Sequence, residues 1–131
     1  DLLAGQVQLA FFDIAILAPH IRTGKLRALA IASENRAPLL PAVPTAAEAG
    51  YPSLIAEVWY AMVVAAGTPK DLVMRINTLM VKAIQVPETR ERLASHGARA
   101  IGTSPEEFLA FWRAEHERWG KIIRTAGIKI E

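Results

Sequence analysis

The amino-acid sequence predicts an α/β fold of parallel β-α-β units followed by a long C-terminal helix. Two observations carry this expectation. Residues 7–12, 26–32 and 57–65 are short apolar runs bounded by turn residues, the pattern of buried strands. The third run then passes through Gly67 into Thr68, Pro69 and Asp71: an N-cap, a proline at the first helical position and a first-turn acid. A strand feeds a helix there, and the chain beyond is patterned as helices.

Each element has its own signals. The opening Asp1-Leu2-Leu3-Ala4-Gly5 reads as the last turn of a helix closed by glycine, which predicts that this chain is the C-terminal half of a longer protein. Residues 7–12, interrupted only by Gln8, suit a buried parallel strand. Residues 14–23 follow as a short helix with Asp13 before it and Gly24 as its stop; Pro19 either kinks this helix or displaces its start. The second buried strand, 26–32, completes a β-α-β unit, for which a right-handed crossover between parallel strands is expected. Residues 33–44 are a loop, denied regular structure by Pro38, Pro41 and Pro44. Thr45 and Glu48 form a capping box on one turn closed by Gly50, and 51–56 lead into the third strand.

Beyond Gly67, residues 69–84 form an amphipathic helix whose apolar face carries Leu72, Ile76, Leu79, Met80 and Ala83. A second helix spans 87–96 and stops at Gly97, and 98–102 is a short strand. Ser104, Pro105 and Glu107 combine an N-cap, a first-position proline and a capping-box acid; they open a helix that runs to Ala126 and stops at Gly127.

Composition excludes several functions. A length of 131 residues fits one average domain. The net charge of +2, with acidic and basic residues interleaved at helical spacing after Pro69, offers no one-sign field for nucleic acid. The absence of cysteine rules out disulfides, zinc-thiolate sites and thiol nucleophiles. No apolar run approaches the ~20 residues of a membrane-spanning helix.

No catalytic constellation stands out. His20, His96 and His116 are scattered, no pair has metal-ligand spacing, and no nucleophile stands beside a base, so no catalytic residue, metal or cofactor is expected. His96, before a helix-ending glycine, reads as a surface residue favoured by the helix dipole. Phe108, Phe111, Trp112 and Trp119 recur along the last helix as a packing stripe. The candidate binding residues lie instead at strand ends, where open α/β sheets hold ligands. Phe12, Asp13, Ile14 and Ala15 join the first strand to its helix, where free backbone N–H groups and the positive end of the dipole suit a small carboxylate. Asp13 as a plain N-cap explains the same residues, and the two roles are compatible. Ser33 ends the second strand. Trp59 and Tyr60 either wall a cleft or pack in the core.

Several pieces occur in order: Leu3-Ala4-Gly5-Gln6-Val7, Phe12-Asp13, Pro19-His20-Ile21, Gly24-Lys25-Leu26-Arg27-Ala28-Leu29-Ala30, Val43-Pro44-Thr45 with Glu48 and Gly50, Trp59, Gly67-Thr68-Pro69, Pro105-Glu106-Glu107-Phe108, Trp119-Gly120 and Ala126-Gly127-Ile128. Together they resemble the Bug-type receptors, the substrate-binding proteins of tripartite tricarboxylate transporters. The resemblance implies a two-lobe, type II periplasmic-binding-protein-like fold. Residues 1–58 would belong to the second lobe, 59–68 to a hinge-crossing strand, and 69–131 to helices and a strand returning to the first lobe. Asp13 with Phe12, Ile14 and Ala15 matches the second-lobe loop that faces the cleft, and Trp59 the hinge-strand aromatic. Ala61 and Ala65 depart from the glycine and proline usual after that aromatic, and Val86 replaces a capping aspartate.

The implied function is that of a non-catalytic periplasmic receptor in a bacterium, binding a small organic acid and delivering it to membrane permease subunits. The effector-sensing domain of a transcription regulator shares the two-lobe architecture and is the alternative. Strands left without neighbours predict self-association, or association with the N-terminal half as a separate piece.

Overall fold

The structure, a computed structural model, describes residues 1–129, so Ile130 and Glu131 at the end of the 69–131 segment lie outside the described residues. Four helices form among them: α1 (Ile14–Arg22), α2 (Lys70–Gln85), α3 (Pro87–Ser95) and α4 (Pro105–Ala126). The chain divides into two compact units. One comprises Asp1–Val63 with Pro87–Arg99, the other Val64–Val86 with the chain from Ala100 onward.

In the first unit α1 begins directly at Ile14, because the Oδ1 of Asp13 accepts a hydrogen bond from the Ala15 N–H at 2.8 Å. Pro19 sits inside the helix without displacing its start. Gly24, at φ 71°, ends α1: its N–H reaches the Ile21 carbonyl while the Lys25 N–H reaches that of His20. These paired bonds close the helix as a Schellman motif. Gly97 ends α3 in the same way, with bonds from Gly97 to Ala94 and from Ala98 to Leu93, both 2.9 Å.

The capping box at Thr45 forms as the sequence predicts. The Thr45 N–H donates to Glu48 Oε2 at 2.7 Å, and the Glu48 N–H to Thr45 Oγ1 at 3.2 Å. This turn joins residues 26–32 through a parallel bridge between Ile31 and Thr45, with bonds from Ile31 to Pro44 and from Ala46 to Ile31, each 2.8 Å. Arg36 fastens the loop between them by an ion pair to Glu48 at 2.8 Å. The side chains of Ala18, Leu40, Thr45 and Ala46 are buried and form the core of this unit.

Apart from that bridge, the runs 7–12, 26–32, 57–65 and 98–102 form no strand ladder among the described residues. Residues 7–12, expected to be buried, are exposed, with Phe11 at 69% and Phe12 at 64%. The reason is non-local. Composition gives a run its β preference, but a ladder exists only when another segment satisfies its N–H and C=O groups in succession; here the 26–32 run gains the Ile31–Thr45 bridge and a bond from the Ala56 N–H to the Ala32 carbonyl at 2.9 Å, too few to extend into a strand.

In the second unit α2 and α4 pack together. Gly102 lies close to α2: a Cβ on it would stand 3.3 Å from Ile84 Cδ1 and 3.4 Å from Val81 Cγ1. Asn77 Nδ2 holds the Thr103 carbonyl at 2.9 Å. The capping box of α4 is complete, with Ser104 and Glu107 bonded reciprocally at 2.8 and 3.2 Å, and Gly127 ends the helix at φ 65°. Thr68 does not cap α2. Its hydroxyl donates to the Ala65 carbonyl at 2.7 Å, Pro69 takes the cap position in extended conformation, and the helix starts at Lys70. The aromatic stripe of α4 is only partly covered: Phe111, Trp112 and Trp119 remain exposed, and Trp119 Nε1 donates to Glu115 at 3.0 Å.

Candidate functional site

The candidate site is the first turn of α1 and the residues leading into it. A helix leaves its first N–H groups without intrahelical partners. Here the Ala15 N–H is taken by the Asp13 side chain and the Leu17 N–H reaches the Asp13 carbonyl at 3.3 Å. The N–H groups of Ile14 and Ile16 have no acceptor among the described residues. The other helices carry an acid in the first turn: Asp71 in α2, Glu88 in α3, Glu106 and Glu107 in α4. The first turn of α1 carries none, so only the Asp13 cap offsets the positive end of its dipole. Two free donors and a partly compensated dipole suit an oxygen anion.

Phe12, Asp13, Ile14 and Ala15 are thus gathered at one helix end, Phe12 exposed and the other three half-buried. Ser33 is half-buried just beyond the Ile31–Thr45 bridge, and its hydroxyl donates to the Asn35 carbonyl within its own turn. Trp59 is 39% exposed and Tyr60 is 83% exposed, on a run that forms no strand ladder among the described residues.

The sequence reading missed the neighbours of this helix end. A Cβ built on Gly97 would meet Ile14 Cγ2 at 2.9 Å, Leu39 Cδ1 at 3.2 Å and the Ala15 nitrogen at 3.9 Å. The turn that ends α3 therefore seats against the first turn of α1. Leu39 is held from the far end of α1, where Arg22 Nη2 donates to its carbonyl at 2.9 Å. The only local signal at Gly97 was that of a helix stop, which fixes its φ of 75° and says nothing of what lies beside it. His96 lies next to it, exposed, its Nδ1 donating to the Arg92 carbonyl at 2.8 Å.

Two carboxylates are held below the usual range, both in capping boxes. The Arg36 guanidinium and then the Thr45 N–H lower Glu48; the Ser104 N–H and hydroxyl lower Glu107. Among the described residues no three His, Asp or Glu side chains gather as a metal site, and no helix is long and apolar enough to cross a membrane. An open, mostly apolar cavity of about 390 Å³ lies on the last turns of α4, lined by Lys121, Ile122, Thr125 and Ala126.

BugT of Bordetella pertussis is 36% identical over 131 residues, which is all of this chain and 40% of that protein. The structure of R. palustris Rpa4515 with adipate superposes with a TM-score of 0.82 at 32% identity, over 97% of this chain and 42% of that one. MatC from Rhodopseudomonas palustris, with bound malate, gives 0.68 at 31% identity, over 84% and 38%. The chain therefore spans about two fifths of each of these relatives. The fold is the α/β architecture of two-lobe, type II periplasmic binding proteins, of which this chain carries a part. The model of the tripartite tricarboxylate transporter family receptors matches residues 1–128, and the chain belongs to that family.

Proposed function

We propose that this chain contributes one side of the ligand site of an extracytoplasmic receptor for a small organic acid, and that the receptor delivers the acid to the membrane permease subunits of a tripartite tricarboxylate-type transporter. The receptor is not an enzyme. The observation that carries the reading is the first turn of α1, where the Ile14 and Ile16 N–H groups stand free beside a helix terminus with no first-turn acid. An oxygen anion satisfies both, and the dipole favours it by about 0.3–1 kcal/mol. The adipate and malate held by two structural neighbours are dicarboxylates, which supports the same ligand class here.

In this reading Phe12, Asp13, Ile14 and Ala15 form the carboxylate loop, and Ser33, Trp59 and Tyr60 line the remainder. Residues 1–58 belong to one lobe and 59–68 cross the hinge; beyond it, α3 and its closing turn, Pro87–Arg99, group with the first unit, and the rest of 69–131 belongs to the other lobe. Asp13 holds the loop by capping it and leaves the ligand to the neighbouring amides.

The test is a thermal-shift screen of the full-length receptor against adipate, malate, citrate and glutamate, each paired with its methyl ester. A ligand that binds only the folded state stabilises it by about 2.7 kcal/mol at a hundredfold excess over Kd. At least one acid is expected to raise Tm and to be recovered unchanged, while its ester does nothing. Conversion of the acid, or an equal shift from acid and ester, overturns the proposal.

A further inference from the structure

We infer that Gly97 is a positioning residue for the carboxylate loop: by lacking a Cβ it lets the turn that ends α3 seat against Ile14 and fix the first turn of α1. The inference rests on the site reading above, but its structural half can be tested apart from it.

The geometry supplies the argument. Gly97 is left-handed at φ 75°, as the Schellman close of α3 requires, and this orientation aims its missing Cβ at α1. A methyl there would stand 2.9 Å from Ile14 Cγ2, closer than packed carbon atoms approach. That methyl cannot swing away cheaply. Cγ2 is bonded directly to the Ile14 Cβ, so it moves only by rotation about a χ1 that β-branching stiffens or by movement of the turn itself. On the other side Leu39 stands 3.2 Å away, on a loop pinned by the Arg22 bond to its carbonyl and the Arg36–Glu48 ion pair. The missing Cβ of Gly97 thus faces Ile14 on one side and Leu39 on the other. The Ala15 nitrogen, whose hydrogen Asp13 accepts, is only 3.9 Å from the same point, so displacement of Ile14 falls on the cap and the two free donors.

Left-handed strain alone would also make Gly97→Ala destabilising. Gly24 separates the two effects, since it closes α1 at φ 71° with nothing within 4 Å of its virtual Cβ. Gly24→Ala carries the strain without the collision. Ile14→Ala on the Gly97→Ala background removes the colliding methyl and completes a double-mutant cycle.

The experiment uses the full-length receptor and two readouts: hydrogen exchange of the 14–17 amides without ligand, and the affinity for adipate, malate, citrate and glutamate. Gly97→Ala is expected to lower protection at Ala15 and Leu17 by about tenfold, Gly24→Ala to leave it within about twofold, and Ile14→Ala to restore part of the loss. Affinity for the acids that bind is expected to fall about tenfold with Gly97→Ala and to hold with Gly24→Ala. Unchanged protection, an equal loss with Gly24→Ala, or no rescue overturns the positioning role. Lost protection with unchanged affinity overturns its connection to binding. If the wild-type receptor binds none of the four acids, the site reading fails while the exchange data still decide whether Gly97 fixes the turn.

Discussion

Asp13 has two separable properties, an acceptor that caps α1 and a negative charge, and two substitutions divide them. Asp13→Ala removes the 2.8 Å bond to the Ala15 N–H and leaves that half-buried donor open. Loss of such a cap costs about 0.5–2 kcal/mol. For an unfolding slope of about 1–3 kcal/mol/M in urea, a loss near 1 kcal/mol lowers the midpoint by about 0.3–1 M. Asp13→Asn keeps an acceptor of equal capping rank and gives up only the interaction of the charge with the dipole, about 0.3–1 kcal/mol. Binding is expected to split the other way. If the Ile14 and Ile16 amides hold the ligand, the Asp13 charge is a like-charge neighbour, so Asp13→Asn binds the acid at least as tightly as wild type. Asp13→Ala binds it less tightly, because the first turn loosens. The assay is urea unfolding and titration calorimetry of the full-length receptor at pH 7. A tenfold loss of affinity in Asp13→Asn, equal to that in Asp13→Ala, would refute the reasoning, since the charge itself would then be contacting the ligand.

Glu48 and Glu107 have folded-state pKa values below their unfolded ones, so their stabilisation is present above about pH 4.3 and disappears as pH falls through the folded values. Glu48→Gln and Glu107→Gln are therefore expected to cost stability at pH 7 and progressively less below about pH 4, as measured by urea unfolding across pH; a constant difference would contradict the assignment. Ser104→Ala removes the Oγ that accepts the Glu107 N–H and is expected to lower stability by about 1 kcal/mol without changing acid affinity, read by the same unfolding and calorimetric assays. The 131-residue chain expressed alone exposes Phe11, Phe12, Val58, Tyr60, Met62 and Val63 on runs that form no strand ladder among the described residues. Sedimentation is expected to show self-association and a hydrophobic dye to bind strongly; a compact monomer that excludes the dye would contradict this.

The features that were legible in the sequence are those encoded within a few residues. Asp13, the Thr45 and Glu48 pair, and the Ser104 and Glu107 pair all cap as their spacing predicts, and Gly24, Gly97 and Gly127 all end helices at positive φ. Thr68 shows how narrow the local margin is. Its hydroxyl bonds back to the Ala65 carbonyl rather than forward to the helix, and the cap position falls on Pro69. The β runs were legible as composition but not as ladders, since pairing depends on segments distant in sequence. At the candidate site the Phe12–Ala15 loop was readable from its cap. The seat of Gly97 against Ile14 was not, because a glycine that stops a helix has the same signature whether it faces solvent, as Gly24 does, or a neighbouring helix.

The most direct test of the central claim is the amide spectrum of isotope-labelled full-length receptor titrated with the acid that gives the largest thermal shift, and with its ester. The account predicts that the Ile14 and Ile16 amide protons move downfield and saturate with the affinity found by calorimetry, while the ester leaves them in place. Saturable binding of the acid with both amides unmoved would show that the carboxylate is held elsewhere.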